Sequence, residues 1–154
     1  MPSAARRARP GESDSEGTSS ETRVKLLIYV AVGAALGGVA RFALAGWVQQ
    51  RAGADFPAGT LVINLTGSFL LGALIRYALQ STSISPELRL MLTTGFCGGY
   101  TTFSTFSYET ATLLEDGEYG RAGLYVGVSV FGALLAMFAG FACAEWLLRL
   151  REHV

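Results

Sequence analysis

The chain reads as an all-α integral membrane protein, and three observations predict that class. Hydrophobic residues fill 51% of its 154 positions while charged residues fill only 16%, and mean hydropathy is +0.39. Apolar stretches recur at the length that crosses a hydrocarbon core, about 20 helical residues. The charges concentrate in the N-terminal tail and the loops between those stretches. Net charge is formally zero, so no global field favours nucleic acid or an acidic substrate.

Taken in order, the segments divide the chain into a tail at 1–25, a membrane domain at 26–148 and a short C-terminal tail at 149–154. Residues 1–21 are rich in Ser, Gly, Glu and Arg with almost no aliphatic side chains. That composition buries too little apolar surface to offset ordering entropy, so a disordered, solvated tail is expected. Its Arg6, Arg7 and Arg9 do not make a signal peptide, because the apolar stretch starts only at Leu26 and is too long for a signal core. Span one is Leu26 to Val48. Span two, Ala58 to Tyr77, follows the loop "QQRAGADFPAGT", whose Pro57 suits the first turn of a helix. Span three, Leu88 to Leu114, is irregular, and span four, Ala122 to Leu148, is flanked by Arg121, Arg149 and Arg151.

Small residues recur at the spacing by which membrane helices approach one another. Gly33 and Gly37 form one GxxxG, Gly123 and Gly127 another, and with Gly67, Gly72 and Gly132 they read as contact points. Cys97 and Cys143 match no metal or redox spacing and read as small buried residues.

Polar residues inside the spans require an account. Arg41 would cost ~3 kcal/mol facing lipid, so it either snorkels to the interface or lines an aqueous vestibule. Asn64 lies deep in "VINLTGSFLLG", where an amide more often bonds a neighbouring helix than a ligand. Between Thr93 and Thr112 lie nine Ser or Thr residues, with Gly95, Gly98 and Gly99 among them. This predicts an interrupted helix. Freed carbonyls inside a membrane need partners, and unwound carbonyls are one way to hold a cation. Phe103 and Phe106 stand at i and i+3 on one face. Their ring edges are electropositive and suit an anion, although core contact is the commoner use of such a pair.

The segments "GGVAR" (37–41), "GTLVINLTGSFLLG" (59–72) and "GFCGGYTTFSTFSYE" (95–109) closely resemble the CrcB or Fluc family of small fluoride channels, over roughly residues 26–148. The resemblance implies four transmembrane helices per subunit with the third broken at Gly98–Thr101. It also implies an antiparallel dual-topology dimer and two fluoride pores along the subunit interface. It places backbone carbonyls of Gly98 and Thr101 around a structural sodium ion at the dimer centre. It matches Phe103 and Phe106 to pore phenylalanines, Asn64 to a pore-lining amide and Glu109 to a carboxylate near the pore end. Thr60, Ser104 and Thr105 fall within the same motifs and extend the hydroxyl path. Tyr125 and Ser129, at i and i+4 in span four, continue a polar track that no motif fixes. The bulky Tyr100 lies where variation is expected. The implied function is passive fluoride export across the cytoplasmic or plasma membrane, relieving fluoride toxicity.

Rival classes find less support. A proton-coupled multidrug transporter wants a carboxylate deep in its first span, and none occurs from Leu26 to Val48. A membrane hydrolase wants a nucleophile with a base, yet the only histidine is His153, so no enzyme is expected. A structural membrane subunit remains as the alternative. Charge placement adds a further expectation. With four spans, Arg23, Lys25, Arg76, Arg89, Arg149 and Arg151 share one side, against Arg51 and Arg121 on the other. That bias favours cytoplasmic termini and leaves two assemblies open, a homodimer or a heterodimer with an oppositely oriented paralogue.

Overall fold

The computed structural model describes residues 12–80 and 84–152, with side chains from Ser20 to Arg151. Arg6, Arg7, Arg9 and His153 lie outside these. Helix α1 runs Glu12–Ala52, so residues 12–25, expected as unstructured tail, extend the helix. Composition counts only apolar burial, whereas a helix already nucleated over an apolar stretch gains a hydrogen bond for each residue added. It stops at Gly53, whose φ of 87° is left-handed and suits a residue without Cβ. Gln49 then folds the loop: its Nε2 donates to the carbonyls of Gly53 and Phe56, and its Oε1 accepts from the Gly59 N–H at 3.0 Å.

Helix α2, Ala58–Gln80, starts directly after Pro57 and buries Gly59, Thr60, Ile63 and Gly67, a single stripe at helical spacing. Short α3, Pro86–Leu90, is capped by the Ser85 side chain. A π-helical stretch, Met91–Cys97, and one helical turn, α4 (Gly98–Tyr100), lead to two extended residues, Thr101 and Thr102. Helix α5, Phe103–Glu115, restarts with Thr102 as its N-cap. It ends at Gly117 (φ 77°), where Gly117 N–H returns to Leu114 O and Glu118 N–H to Leu113 O. This is the paired bonding of a Schellman turn, and it launches α6, Tyr119–Glu152.

Three helical segments, Ser20–Ala52, Ala58–Gln80 and Tyr119–Arg151, are long and apolar enough to cross a membrane. At 1.5 Å per residue a 33-residue helix reaches about 50 Å. Phe42, Val39, Leu135 and Phe138 on α1 and α6 point outward and exposed, as a lipid-solvated helix permits. The stretch from Met91 to Glu115 is divided, so no single helix in it has that length.

Helix α2 lies chiefly against α6, and α1 against the π-helical stretch. The second contact brings backbones together. A Cβ added at Gly37 would sit 2.2 Å from the Phe96 carbonyl, and one at Gly99 2.5 Å from that of Ala34. Gly123 and Gly127, expected to serve the same purpose, have nothing within 4 Å of an added Cβ, because α6 meets α2 along another face through Gly72 and Gly140. Cys97 is buried as expected, whereas Cys143 is only half-buried, near the outer surface of α6.

Basic side chains tie one end of the bundle. Lys25 pairs with Glu87 at 2.8 Å and Arg76 with Glu145 at 2.9 Å. Arg89 donates to the Ala78 carbonyl at 2.6 Å, and Arg151 to the Tyr77 hydroxyl. The α1–α2 loop and the α5–α6 turn form the opposite end, with Arg51 stacked on Trp47 and Arg121 beside Glu118 at 3.5 Å.

Candidate site around the interrupted helix

Two hydrogen bonds from one side chain hold the extended pair open. Asn64 Nδ2 donates to the Thr102 carbonyl at 3.0 Å, and the Thr102 N–H donates to Asn64 Oδ1 at 2.8 Å. The Thr102 amide is therefore turned away from the Gly98 carbonyl, which a continuous α-helix would have given it. The Thr102 hydroxyl caps the new helix, accepting from Thr105 N–H at 3.2 Å and lying 2.9 Å from the Thr105 hydroxyl. Gly67 makes room, since a Cβ there would meet Thr101 Cγ2 at 2.3 Å.

The break falls at Thr101 and Thr102, one residue beyond the expected Gly98–Thr101. Gly98 is itself helical (φ −65°, ψ −39°) and the extended residues are Thr101 and Thr102. Gly95 and Gly99 serve close approach to α1, whereas a Cβ at Gly98 would meet nothing within 4 Å. Thr101 still closes the preceding turn, its N–H and hydroxyl both donating to Cys97 O at 3.0 Å. Its own carbonyl receives the Arg41 Nη1 at 3.5 Å.

Two cavities flank Thr102, which lines both. One, of about 590 Å³, is lined by Arg41, Gln49, Thr60, Thr105, Glu109 and others at the α1–α2 loop end. The other, of about 280 Å³, is lined by Asn64, Ser68, Thr101, Phe103, Phe106 and Ser129 among others. A carboxylate joins α5 to its neighbours: Thr60 Oγ1 donates to Glu109 Oε1 at 2.8 Å, and the Tyr125 hydroxyl to Glu109 Oε2 at 2.6 Å. The rings of Phe103, Phe106, Tyr125 and Phe56 follow in series at 5.5, 5.2 and 5.5 Å. Tyr125 is fully buried, while Phe103 is 78% exposed. The Ser129 hydroxyl is buried with no hydrogen-bond partner among the described residues. Ser104 is exposed on α5, reaching the Thr102 hydroxyl at 3.3 Å, and lines neither cavity.

The structure thus gathers Asn64, Thr101, Phe103, Phe106 and Ser129 on one side of Thr102, and Arg41, Thr60, Thr105 and Glu109 on the other. Sequence reasoning missed Thr102 itself, although a hydroxyl directly before "FSTF" is a legible N-cap signal. Tyr100, expected only as a bulky residue at a variable position, is buried, stacks on Phe96 and bonds Thr66 at 2.9 Å.

Long apolar helices around a divided helical segment define a multi-pass integral protein of the cell membrane, with polar side chains turned inward along two cavities. Residues 28–141 match the family model described as CrcB-like protein, Camphor Resistance (CrcB). A relative from Geobacter sulfurreducens, named fluoride-specific ion channel FluC, is 52% identical over 121 residues, covering 79% of this chain and 98% of its own. Relatives of the same name from Geotalea daltonii and Anaeromyxobacter sp. are 45% and 44% identical, over 80% and 79% of this chain and 100% and 96% of theirs. The chain belongs to the CrcB family, whose relatives are named as channels and not as enzymes.

Proposed function

We propose that the chain is one subunit of a fluoride-selective channel that exports fluoride passively across the cytoplasmic membrane and so relieves fluoride toxicity. The observation that carries this reading is the set of neutral donors around Thr102: the Asn64 amide, the orphaned Ser129 hydroxyl and the Phe103 and Phe106 ring edges. Fluoride is small and strongly hydrated, so its path must replace water with donors without binding so tightly that the ion cannot leave. Neutral partial charges meet that demand where a lysine would trap the ion. The amide of Asn64 has two N–H groups and spends one on Thr102, leaving the other for an anion. Glu109 has both oxygens engaged by the Thr60 and Tyr125 hydroxyls. Arg41 supplies positive charge at the mouth.

The assembly in this reading has four spans per subunit, the divided segment Met91–Glu115 counting as the third, in an antiparallel dual-topology dimer that encloses two pores. A structural sodium ion at its centre fits the residues present. The Gly98 carbonyl lacks the Thr102 donor, and a Cβ at Gly98 would meet nothing within 4 Å, so this backbone faces open space. Gly98 and Thr101 would hold the ion through carbonyl oxygens. When bound, it supplies fixed positive charge and joins the two breaks.

The test is fluoride efflux from liposomes containing the purified protein, read with a fluoride electrode against a chloride control. Fluoride-selective efflux is expected; leakage equal to empty liposomes would identify a structural subunit instead. Phe106→Ile and Phe103→Ile fill similar space without the polar ring edge. Each is expected to lower flux at least roughly tenfold, about 1.4 kcal/mol on the barrier, while the dimer still elutes intact. Undiminished flux in an intact variant removes the ring edges from the mechanism.

A further inference from the structure

The contact between Arg41 and the Thr101 carbonyl lies at the outer limit of hydrogen bonding, 3.5 Å. It is nevertheless the only hydrogen bond the Arg41 side chain makes among the described residues, and Arg41 is in none of their ion pairs. The guanidinium is half-buried and lines the larger cavity. Asp55 and Asp116 line that cavity too, but neither pairs with it. The third carboxylate there, Glu109, is already occupied by Thr60 and Tyr125. The strongest acceptor within reach is therefore a neutral carbonyl, one of the two through which a structural cation would be held.

We infer that Arg41 and the cation are alternative occupants of the Thr101 carbonyl, so that binding the cation releases the guanidinium into the mouth cavity. This rests on the sodium reading given under the proposed function. The carbonyl oxygen has lone pairs enough for both, but two positive charges against one oxygen repel strongly where water is scarce. A hydrogen bond as long as 3.5 Å is the one that yields. Without the cation, Arg41 meets the exposed carbonyl and limits the penalty of an unsatisfied backbone group. With it, the same guanidinium is free to draw anions to the mouth. Cation occupancy and anion attraction are then linked through one side chain.

The linkage has a thermodynamic signature separable from flux. The full-length protein in detergent is freed of sodium, then titrated with sodium chloride at ionic strength held constant by choline chloride, and its unfolding temperature is followed. Wild type is expected to rise with sodium. Arg41→Gln is expected to begin lower, to start its rise at about tenfold less sodium, and to converge with wild type at high sodium. Parallel curves with a shared onset overturn the inference and make Arg41 an ordinary structural contact. A flat wild-type curve removes the sodium reading beneath it, and the inference with it, while leaving fluoride efflux untouched. Should Arg41→Gln fail to assemble, Arg41→Lys is read instead. Its ammonium lacks the planar fork, so a smaller shift of the onset in the same direction is expected, and an unchanged onset again overturns the inference.

Discussion

Asn64 has two tasks that one amide can perform at once. Its Oδ1 and one N–H hold Thr102 extended, and in the proposed channel its second N–H would serve the anion. Removing the side chain should therefore injure both stability and flux, and a second substitution separates them. Asn64→Leu leaves the Thr102 N–H without an acceptor, a loss of about 1–3 kcal/mol for a buried polar group. Its unfolding temperature and its fluoride efflux should both fall. Asn64→Asp restores an acceptor to that N–H but offers the path a carboxylate in place of a donor. It should regain part of the stability and none of the flux. Wild-type efflux from the Asp variant would leave Asn64 as a positioning residue only.

At the scale of the helix, the glycines illustrate what was legible in the sequence and what was not. Their concentration between Gly95 and Gly99 points to a failure of regular structure there, yet all three lie in helical backbone, and Gly95 and Gly99 let α1 approach. The break is set instead by Asn64, 38 positions away, and no local pattern reveals a partner at that distance. The long apolar spans were legible because length and hydropathy act within one segment. So were the aromatic and hydroxyl residues of α5, whose i, i+3 spacing depends only on the helix. Which glycines touch a neighbour was not, since this depends on which face of each helix meets the next. That dependence yields a matched pair. Gly37→Ala drives a methyl to 2.2 Å from the Phe96 carbonyl, whereas Gly38→Ala meets nothing within 4 Å. Overpacking of this kind costs about 1–3 kcal/mol, while alanine in an unobstructed helical position gains roughly 0.5–1 kcal/mol over glycine. Thermal unfolding should move in opposite directions for the two variants. Equal losses would mean that α1 is obstructed on both faces.

For the whole molecule, charge placement and assembly pull in different directions. Lys25, Arg76, Arg89 and Arg151 are tied together at one end of the bundle, and Arg23 and Arg149 belong to the same helix ends. Arg51 and Arg121 stand at the other end, so the bias is six to two. The positive-inside rule then favours both termini in the cytoplasm, whereas a homodimer of opposed subunits requires each orientation in equal number. Two of the six are neutralised locally, Lys25 by Glu87 and Arg76 by Glu145, but acidic partners contribute little to the rule, so pairing does not remove the bias. The prediction is that a C-terminal topology reporter on this chain, expressed alone, will favour the cytoplasm, and that fluoride efflux from the same cells will track the minority orientation. An oppositely biased paralogue, supplied in the same cells, should then raise efflux. Termini divided equally between the two sides, with full efflux and no gain from a partner, would establish the homodimer and show that six charges against two do not decide insertion here. Termini found only inside, with efflux appearing only alongside the paralogue, would establish the heterodimer.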